Sequence, residues 1–164
     1  MLVGIVSDTH DNLDLVQAAV GRFEYEDVDV VVHCGDVVSP FSATPFDGDW
    51  DFYAVRGNND GEWALQDTVA DFGTYLGEAG SLTLDGVDLA VYHGTSETLT
   101  DALVESGDYD VVCHGHTHRH DLEGRGGTVR VNPGGLPIPG RDDAFRVATL
   151  DTETLRIEHH ELTP

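Results

Sequence analysis

Five short polar segments of the sequence carry residue types that bind metals or transfer protons. They are SDTH (7–10), CGD (34–36), GNND (57–60), YHG (92–94) and HGHTH (114–118). Together they contain seven candidate ligands with oxygen or nitrogen donors: Asp8, His10, Asp36, Asn58, His93, His116 and His118. Seven ligands are more than one tetrahedral zinc ion needs. The set suits two metals, with one carboxylate bridging them and positions left for water and substrate.

The mixture of imidazole and carboxylate ligands indicates which metals to expect. Ca²⁺ and Mg²⁺ prefer oxygen ligands only, whereas Mn, Fe, Zn, Ni and Co accept both kinds. We expect two divalent ions, Mn²⁺ first, with Ni, Fe, Zn or Co as alternatives. Taken alone, the histidine-rich stretch 111–120 has a second interpretation, as an exposed polar strand edge or a chance cluster.

A nucleophilic side chain is not evident in the sequence. No serine or cysteine stands beside a general base in a recognisable motif. Cys34 and Cys113 each end an apolar run, and we expect both to be free, buried core residues.

The elements that must position these segments alternate between strands and helices. Continuous apolar runs predict buried strands at 2–6, 28–33, 51–55 and 109–114. Helical spacing predicts helices at 13–23 and 96–106, and less regularly a short helix within 56–80. Alternating runs predict a hairpin at 81–93 around Asp-Gly, a turn at EGRGG and a closing hairpin at the C-terminus.

This order of elements predicts an α/β sheet with a right-handed parallel crossover. In such a sheet the carboxyl ends of the strands meet at one edge, and ligands bind there. Each of the five polar segments follows a predicted strand. We therefore expect them to converge, although more than a hundred residues separate the first from the last.

The ordered set DTH, GD, GNND, HG and GHTH resembles the calcineurin-like metallophosphoesterases over almost the whole chain. The short length and the segment VNPGG (131–135) resemble its small prokaryotic phosphodiesterase branch. This resemblance implies an α/β fold, a four-layer α/β/β/α sandwich of two mixed sheets flanked by helices. We expect one such domain over residues 1–164.

The resemblance also implies roles for the ligands. Asp8, His10, Asp36 and His118 would bind one metal, and Asp36, Asn58, His93 and His116 the other, with Asp36 as the bridge. A hydroxide between the two metals would then attack phosphorus in line, without a protein nucleophile.

The sequence departs from the family pattern at two positions. Asn59 stands where a histidine is common, and Thr95 stands where many relatives have a second histidine after HG. Asparagine donates a hydrogen bond but cannot deliver a proton near neutral pH. Activated esters with good leaving groups should therefore suffer least from the change at Asn59.

We assign Asn59 and Asp60 as candidate catalytic residues, and Arg56 and Asn59 as candidate substrate-binding residues. Arg56 has an equally good interpretation as a salt-bridge partner, and Asp60 as the cap of a following helix. Among the remaining histidines, we expect His33 to orient a loop and His120 to point into solvent. His114 is expected to support the site from the core.

The charge balance is extreme, with 31 acidic residues against eight arginines and no lysine. A net charge of −23 repels itself strongly at low ionic strength and is screened in molar salt. We expect a halophilic source, a cytoplasmic location without membrane insertion, and no binding of nucleic acid by a basic patch. The N-terminal run reads as a first strand and not as a signal peptide.

The predicted function is a metal-dependent hydrolase of small-molecule phosphodiesters, with monoesters as a second substrate class. The alternative is a binding scaffold that keeps the fold without catalysis, an idea motivated by Asn59 and Thr95. The oligomeric state stays open, a homo-oligomer included.

Overall fold

The computed structural model describes residues 1–61 and 63–163. The strands are β1 Leu2–Val6, β2 Val30–His33, β3 Asp51–Ala54, β4 Thr74–Tyr75, β5 Ala79–Leu84, β6 Val87–Tyr92, β7 Val111–Cys113, β8 Asp121–Arg125, β9 Thr128–Asn132, β10 Phe145–Asp151 and β11 Arg156–Leu162. The helices are α1 Leu13–Glu26, α2 Pro40–Ala43, α3 Trp63–Ala70 and α4 Glu97–Ser106, with a 3₁₀ turn at Thr44–Phe46.

The strands form two mixed sheets. The first has the order β11-β10-β1-β2-β3-β4, in which β1 to β4 run parallel and β10 and β11 pair antiparallel. The second has the order β5-β6-β7-β9-β8, with a parallel centre and an antiparallel strand at each edge. Helix α1 connects the strands β1 and β2, which pair in parallel, so a parallel crossover is present as predicted.

Three apolar clusters show how the layers stack. One packs α1, through Val16 and Phe23, against the outer face of the first sheet. The second lies between the sheets and joins Ile5 of β1 to Val91 of β6. The third packs α4, through Val104, against the outer face of the second sheet. Three clusters between four layers confirm the predicted α/β/β/α sandwich.

Alternation along each central strand explains this stacking, because successive side chains point to opposite faces of a sheet. In β2, Val31 faces the α1 cluster, while Val30 and Val32 face the cluster between the sheets. A strand buried on both faces must be apolar throughout, and this is the pattern that the sequence displays.

Some element boundaries differ from the sequence predictions. Helix α1 continues past residue 23 to Glu26 and is followed by Asp27, whose backbone is left-handed with φ 56°. Helix α4 begins as predicted, with Ser96 accepting a hydrogen bond from the Leu99 N–H, and ends at Gly107 with φ 72°. The short elements α2 and β4 were not predicted, because four and two residues are too few to show a period.

Within residues 1–61 and 63–163, none of the helices combines the length and the apolar character needed to cross a membrane.

Candidate metal centre

The loops that follow β1, β2, β3, β6 and β7 meet at the carboxyl ends of the parallel strands. They carry the seven predicted ligands. Asp8, His10 and His118 form one group of potential donor atoms, and Asp8, Asp36 and His93 form a second, each with its donors within 4.8 Å of one another.

In the first group the imidazoles of His10 and His118 stack, with their Nε2 atoms 3.1 Å apart. The Asp8 Oδ1 atom lies 3.3 Å from His118 Nε2 and 3.8 Å from His10 Nε2. Asp36 Oδ2 lies 3.5 Å from His10 Nε2, so this carboxylate also borders the first group.

In the second group His93 Nε2 is central. It lies 3.3 Å from Asp36 Oδ2, 3.1 Å from Asn58 Oδ1 and 4.0 Å from Asp8 Oδ1. The His116 imidazole packs edge-on against the His93 ring, with ring centroids 5.2 Å apart. Asp36 thus has one oxygen near an imidazole of each group, which is the position that a bridging ligand needs.

Left-handed backbone brings these side chains to one point. Positive φ values of 47° to 67° occur at five of the seven candidates, namely Asp8, His10, Asp36, His116 and His118. Non-glycine residues adopt this conformation rarely and at a cost, and such strain concentrates at functional sites. The i, i+2 pairs 8/10 and 116/118 therefore turn both of their side chains inward.

Two glycines make room for this convergence. A Cβ on Gly115 would lie 1.8 Å from Ser7 Oγ and 2.5 Å from Asp8 Oδ2. A Cβ on Gly57 would lie 2.1 Å from Asp36 Oδ1. Only glycine lets these backbones approach the carboxylates so closely.

Backbone carbonyls fix which histidine nitrogen faces the site. His93 Nδ1 lies 2.7 Å from the Cys34 carbonyl, and His118 Nδ1 lies 2.7 Å from the Leu136 carbonyl. A carbonyl only accepts, so each Nδ1–H donates and each Nε2 presents a lone pair to the centre. Metal-bound histidines are commonly oriented in this way.

The result is a concentration of acceptor atoms at the centre of the site. Among the described residues, Asp8 Oδ1 is buried and has no hydrogen-bond partner. His93 Nε2, Asp36 Oδ2 and Asn58 Oδ1 face one another within about hydrogen-bond distance, and none carries a proton in the neutral imidazole form. Such a group is stable only around cations, so the residues present fit divalent metals.

Electrostatics keeps both carboxylates ionised. Burial raises the pKa of Asp8, but contacts with His10, His93 and Ser7 outweigh it and leave the pKa below its ordinary value. Burial also raises the pKa of Asp36, yet His93 and two hydrogen bonds from Asn59 hold it well below its usual range. Both groups are therefore available as anionic ligands.

Asn59 lies directly at the second group. Its backbone N–H donates to Asp36 Oδ1 and its side-chain amide donates to Asp36 Oδ2, each at 2.8 Å. The residue is exposed, and its amide stands at the solvent side of the centre.

Asp60 is buried and holds the surrounding loops together. Its two carboxylate oxygens accept from the backbone N–H groups of Gly57, Asp36 and Val38. Burial raises the pKa of this carboxyl, against the effect of these three hydrogen bonds. The acid thus positions the loops after β2 and β3 relative to each other.

Arg56 forms the salt bridge that the sequence allowed as its alternative role. Its guanidinium lies 3.1 Å from Glu78 Oε1, and its Nε donates to the Asp60 carbonyl. It also lines a small cavity with Asn58 and Thr95 beside the second group.

The other histidines separate into distinct roles. His33 is buried, accepts from the Gly35 N–H and bonds Thr9 Oγ1, which confirms that it orients a loop. His114 is buried at the end of β7, as expected. The solvent position predicted for His120 was wrong in part, because its Nδ1 lies 2.7 Å from Asp142 Oδ2 although 42% of the side chain is exposed.

Sequence reasoning missed two residues that organise the loops. The Asp11 carboxylate accepts from the hydroxyls of Ser39 and Ser42 and so ties the loop after β1 to α2. The Asn132 amide donates to the Gly115 carbonyl and to Thr117 Oγ1, which anchors the loop carrying His116 and His118. In the sequence, the segment VNPGG indicates only a family likeness. Nothing in it indicates that Asn132 anchors a distant loop.

Comparisons with known proteins agree with this geometry. The calcineurin-like phosphoesterase superfamily domain matches residues 1–155. A phosphodiesterase of Methanocaldococcus jannaschii is 36% identical over 93% of this chain and 94% of its own. The solved structure of an archaeal phosphodiesterase superimposes with a TM-score of 0.91, at 32% identity, over 99% of this chain and 100% of that one. Vps29 of Entamoeba histolytica shares the fold at 16% identity, with a TM-score of 0.73 over 99% and 100% of the two chains.

Proposed function

The chain belongs to the calcineurin-like phosphoesterase superfamily. From this premise we propose that it is a two-metal hydrolase that cleaves phosphodiester bonds by direct attack of hydroxide on phosphorus. The observation that carries the proposal is the cluster of carboxylate, amide and imidazole acceptor atoms around Asp36, whose Oδ2 lies within 3.5 Å of an imidazole on each side. The phosphodiesterase relatives support the choice of diesters over monoesters.

We propose the same two ligand sets that the sequence predicts. Asp8, His10, Asp36 and His118 would hold one ion, and Asp36, Asn58, His93 and His116 the other. When bound, two such cations lower the pKa of water to near neutrality and stabilise negative charge on phosphoryl oxygens. We propose Mn²⁺ as the native metal, because the mixed imidazole and carboxylate set accepts it.

Asn59 and Arg56 would contact the substrate. The Asn59 amide, now bonded to Asp36, lies where it can donate to a phosphoryl oxygen at the solvent side. Because an amide has no proton to give to a leaving group, departure of the product must rely on the leaving group's own acidity. Asp60 would act on catalysis by positioning, through the backbone of Gly57 and Asp36.

Metal content and turnover test this proposal together. Purified protein should bind two equivalents of Mn²⁺ and hydrolyse bis(p-nitrophenyl) phosphate, a diester with an acidic leaving group. Binding of no metal would favour the scaffold that Asn59 and Thr95 suggest. Two equivalents of metal with no hydrolysis of diesters or monoesters would also refute the enzyme.

The acidic composition supports a cytoplasm rich in salt as the working environment. With 31 acidic residues and eight arginines, self-repulsion should weaken as the Debye length falls to about 3 Å in 1 M salt. Thermal unfolding followed between 0.1 and 3 M KCl should show a midpoint that rises steeply with salt. A midpoint independent of KCl would contradict the assignment to a halophile.

A further inference from the structure

A cavity of about 640 Å³ lies beside the metal centre and is lined by three arginines, Arg119, Arg130 and Arg141. The sequence has only eight arginines and no lysine, so more than a third of its permanent cations face one cavity. In a chain with 31 acidic residues, such clustering calls for a physical reason.

Pairing with carboxylates does not explain why these three arginines line one cavity. Within residues 1–61 and 63–163, six of the arginines lie within 4 Å of a carboxylate oxygen, namely Arg22, Arg56, Arg125, Arg130, Arg146 and Arg156. The two that do not, Arg119 and Arg141, both line the cavity. Asp121 and Glu123 also line it, and Arg130 lies 3.4 Å from Asp121, so the three arginines and two carboxylates of the wall carry a net charge of +1.

The cavity adjoins the metal centre through Thr117, which lines it and stands between the predicted ligands His116 and His118. One Arg141 nitrogen donates to the Thr117 carbonyl at 2.6 Å. This bond holds the guanidinium against the loop that carries His116 and His118. Thr117 thus joins the wall of the cavity to the loop that carries two of the candidate metal ligands.

Unpartnered polar atoms mark the cavity wall. Among the described residues, three buried side-chain polar atoms lack a hydrogen-bond partner, and two of them are His114 Nε2 and Arg130 Nε. Both residues line the cavity, and His114 is 4% exposed. Buried polar atoms in native proteins are nearly always paired, and the exceptions commonly belong to sites completed by a ligand or water.

We propose that this cavity binds a second phosphate group of the substrate, so that the preferred substrates are diesters that also carry a terminal phosphate. The proposal rests on the phosphodiesterase function proposed above. Guanidinium groups bind phosphate oxygens through paired, charge-assisted hydrogen bonds. Arg119 and Arg141 supply such donors, and a volume of about 640 Å³ accommodates a phosphate with part of the group that bears it.

A matched pair of substrates tests the proposal. Thymidine 5′-(p-nitrophenyl phosphate) and its 3′-phosphorylated counterpart have the same leaving group and differ by one terminal phosphate. With Mn²⁺, the wild type should show a kcat/KM roughly tenfold or more higher for the 3′-phosphorylated compound, mainly through a lower KM. The assay uses the lowest KCl concentration that keeps the protein folded, because salt screens exposed guanidiniums.

Substitutions identify the groups responsible. Arg119→Gln should reduce the preference roughly tenfold and leave hydrolysis of the simple diester unchanged, and Arg119→Lys should restore part of it. Arg141→Gln should act in the same direction. Arg156→Gln is the matched control, because Arg156 is also exposed but pairs with Glu158 on β11. Manganese content, measured for every variant, separates loss of phosphate recognition from damage to the ligand loop.

The outcomes distinguish this proposal from the proposed function. Equal kcat/KM values for the two compounds in the wild type, or a preference that survives both glutamine substitutions, would overturn the second phosphate site while leaving the phosphodiesterase intact. If the wild type with two equivalents of Mn²⁺ cleaves neither compound, the proposed function itself fails. Thymidine 3′,5′-bisphosphate binding, followed by calorimetry, gives a readout independent of turnover and should weaken in Arg119→Gln.

Discussion

At the amino ends of the parallel strands, left-handed backbone occurs in exposed hairpin turns, at Asp85-Gly86 and Gly126-Gly127. At the carboxyl ends it occurs at aspartates and histidines that are buried or half-buried, such as Asp8, Asp36 and His118. The same backbone conformation is thus reached by two routes. At the amino end local residue choice permits it, whereas at the carboxyl end contacts between distant segments impose it.

The hydrogen bonds show this difference. The Asp8 N–H donates to the Gly35 carbonyl, and the Asp36 N–H donates to the Asp60 carboxylate, 24 residues away. The Asp85-Gly86 turn closes a two-residue hairpin between β5 and β6, whose register is set by neighbouring residues. Strain at the carboxyl end is therefore maintained by tertiary structure, as expected where a precise ligand geometry is needed.

The largest effect should come from a ligand at the carboxyl end. Asp36→Ala removes the carboxylate that lies beside both imidazole groups, and should lower kcat/KM for bis(p-nitrophenyl) phosphate by about 10³-fold or more, since the metals contribute several kcal/mol. The control is Asp85→Asn, because asparagine tolerates a positive φ and Asp85 lies at the amino end, where its carboxylate contacts the N-terminal amine and the Thr152 hydroxyl. Equal activity losses in the two variants would remove the distinction between the two ends.

Substitution by alanine should destabilise the protein far more at Gly115 than at Gly124, because the backbone at Gly115 lies close to other residues. Gly115→Ala places a Cβ within 1.8 Å of Ser7 Oγ, and should lower the free energy of unfolding by about 1–3 kcal/mol and reduce the number of bound Mn²⁺ ions. Gly124→Ala, in β8 near the amino-end turn, meets no atom within 4 Å and should change stability by less than about 0.5 kcal/mol. Urea unfolding and metal analysis of both variants measure the contrast.

Substitution of Asp60, which positions the loops after β2 and β3, should have an intermediate effect on metal binding. Asp60→Asn replaces one of two oxygens that accept backbone N–H groups by an NH₂ group, which cannot accept. Affinity for Mn²⁺ should fall about 10- to 100-fold, as for other residues that support ligands. At the amino end Asp29→Asn, where an exposed carboxylate accepts from the Leu2 N–H, should leave metal affinity unchanged. If Asp60→Asn and Asp29→Asn bind Mn²⁺ with the same affinity in a titration, the role of Asp60 is contradicted.

The last expected effect concerns pH. Burial lowers the pKa of His33 from 6.5 to about 3, so the folded state keeps this imidazole neutral. Below pH 6.5 the unfolded chain binds a proton that the folded chain does not, and stability falls by about 1.4 kcal/mol per pH unit until pH approaches 3. The contribution of the neutral His33 to stability is thus fully present above pH 6.5 and is lost as the pH falls toward 3. In urea unfolding, the free energy of unfolding of His33→Asn should decline less steeply between pH 7 and 5 than that of the wild type. Equal slopes would refute the assignment of this pH dependence to His33.

Much of the fold was predictable because its signals are local. Four buried strands, two capped helices and the Asp-Gly hairpin each follow from runs, periods and turn residues within about a dozen positions. The short elements α2 and β4 were not predictable, since Pro40–Ala43 and Thr74–Tyr75 form through packing against neighbours.

By itself, the sequence determined which residues are available to bind metals and that they follow the ends of strands. Residue type sets ligand chemistry, and a period of two or 3.6 sets the element that carries each residue. Only the tertiary structure decided which histidine nitrogen faces the centre, which backbones turn left-handed, and that Arg119 and Arg141 line one cavity with Thr117. The reason is that each of these features depends on a carbonyl, a glycine or a loop from a distant part of the chain.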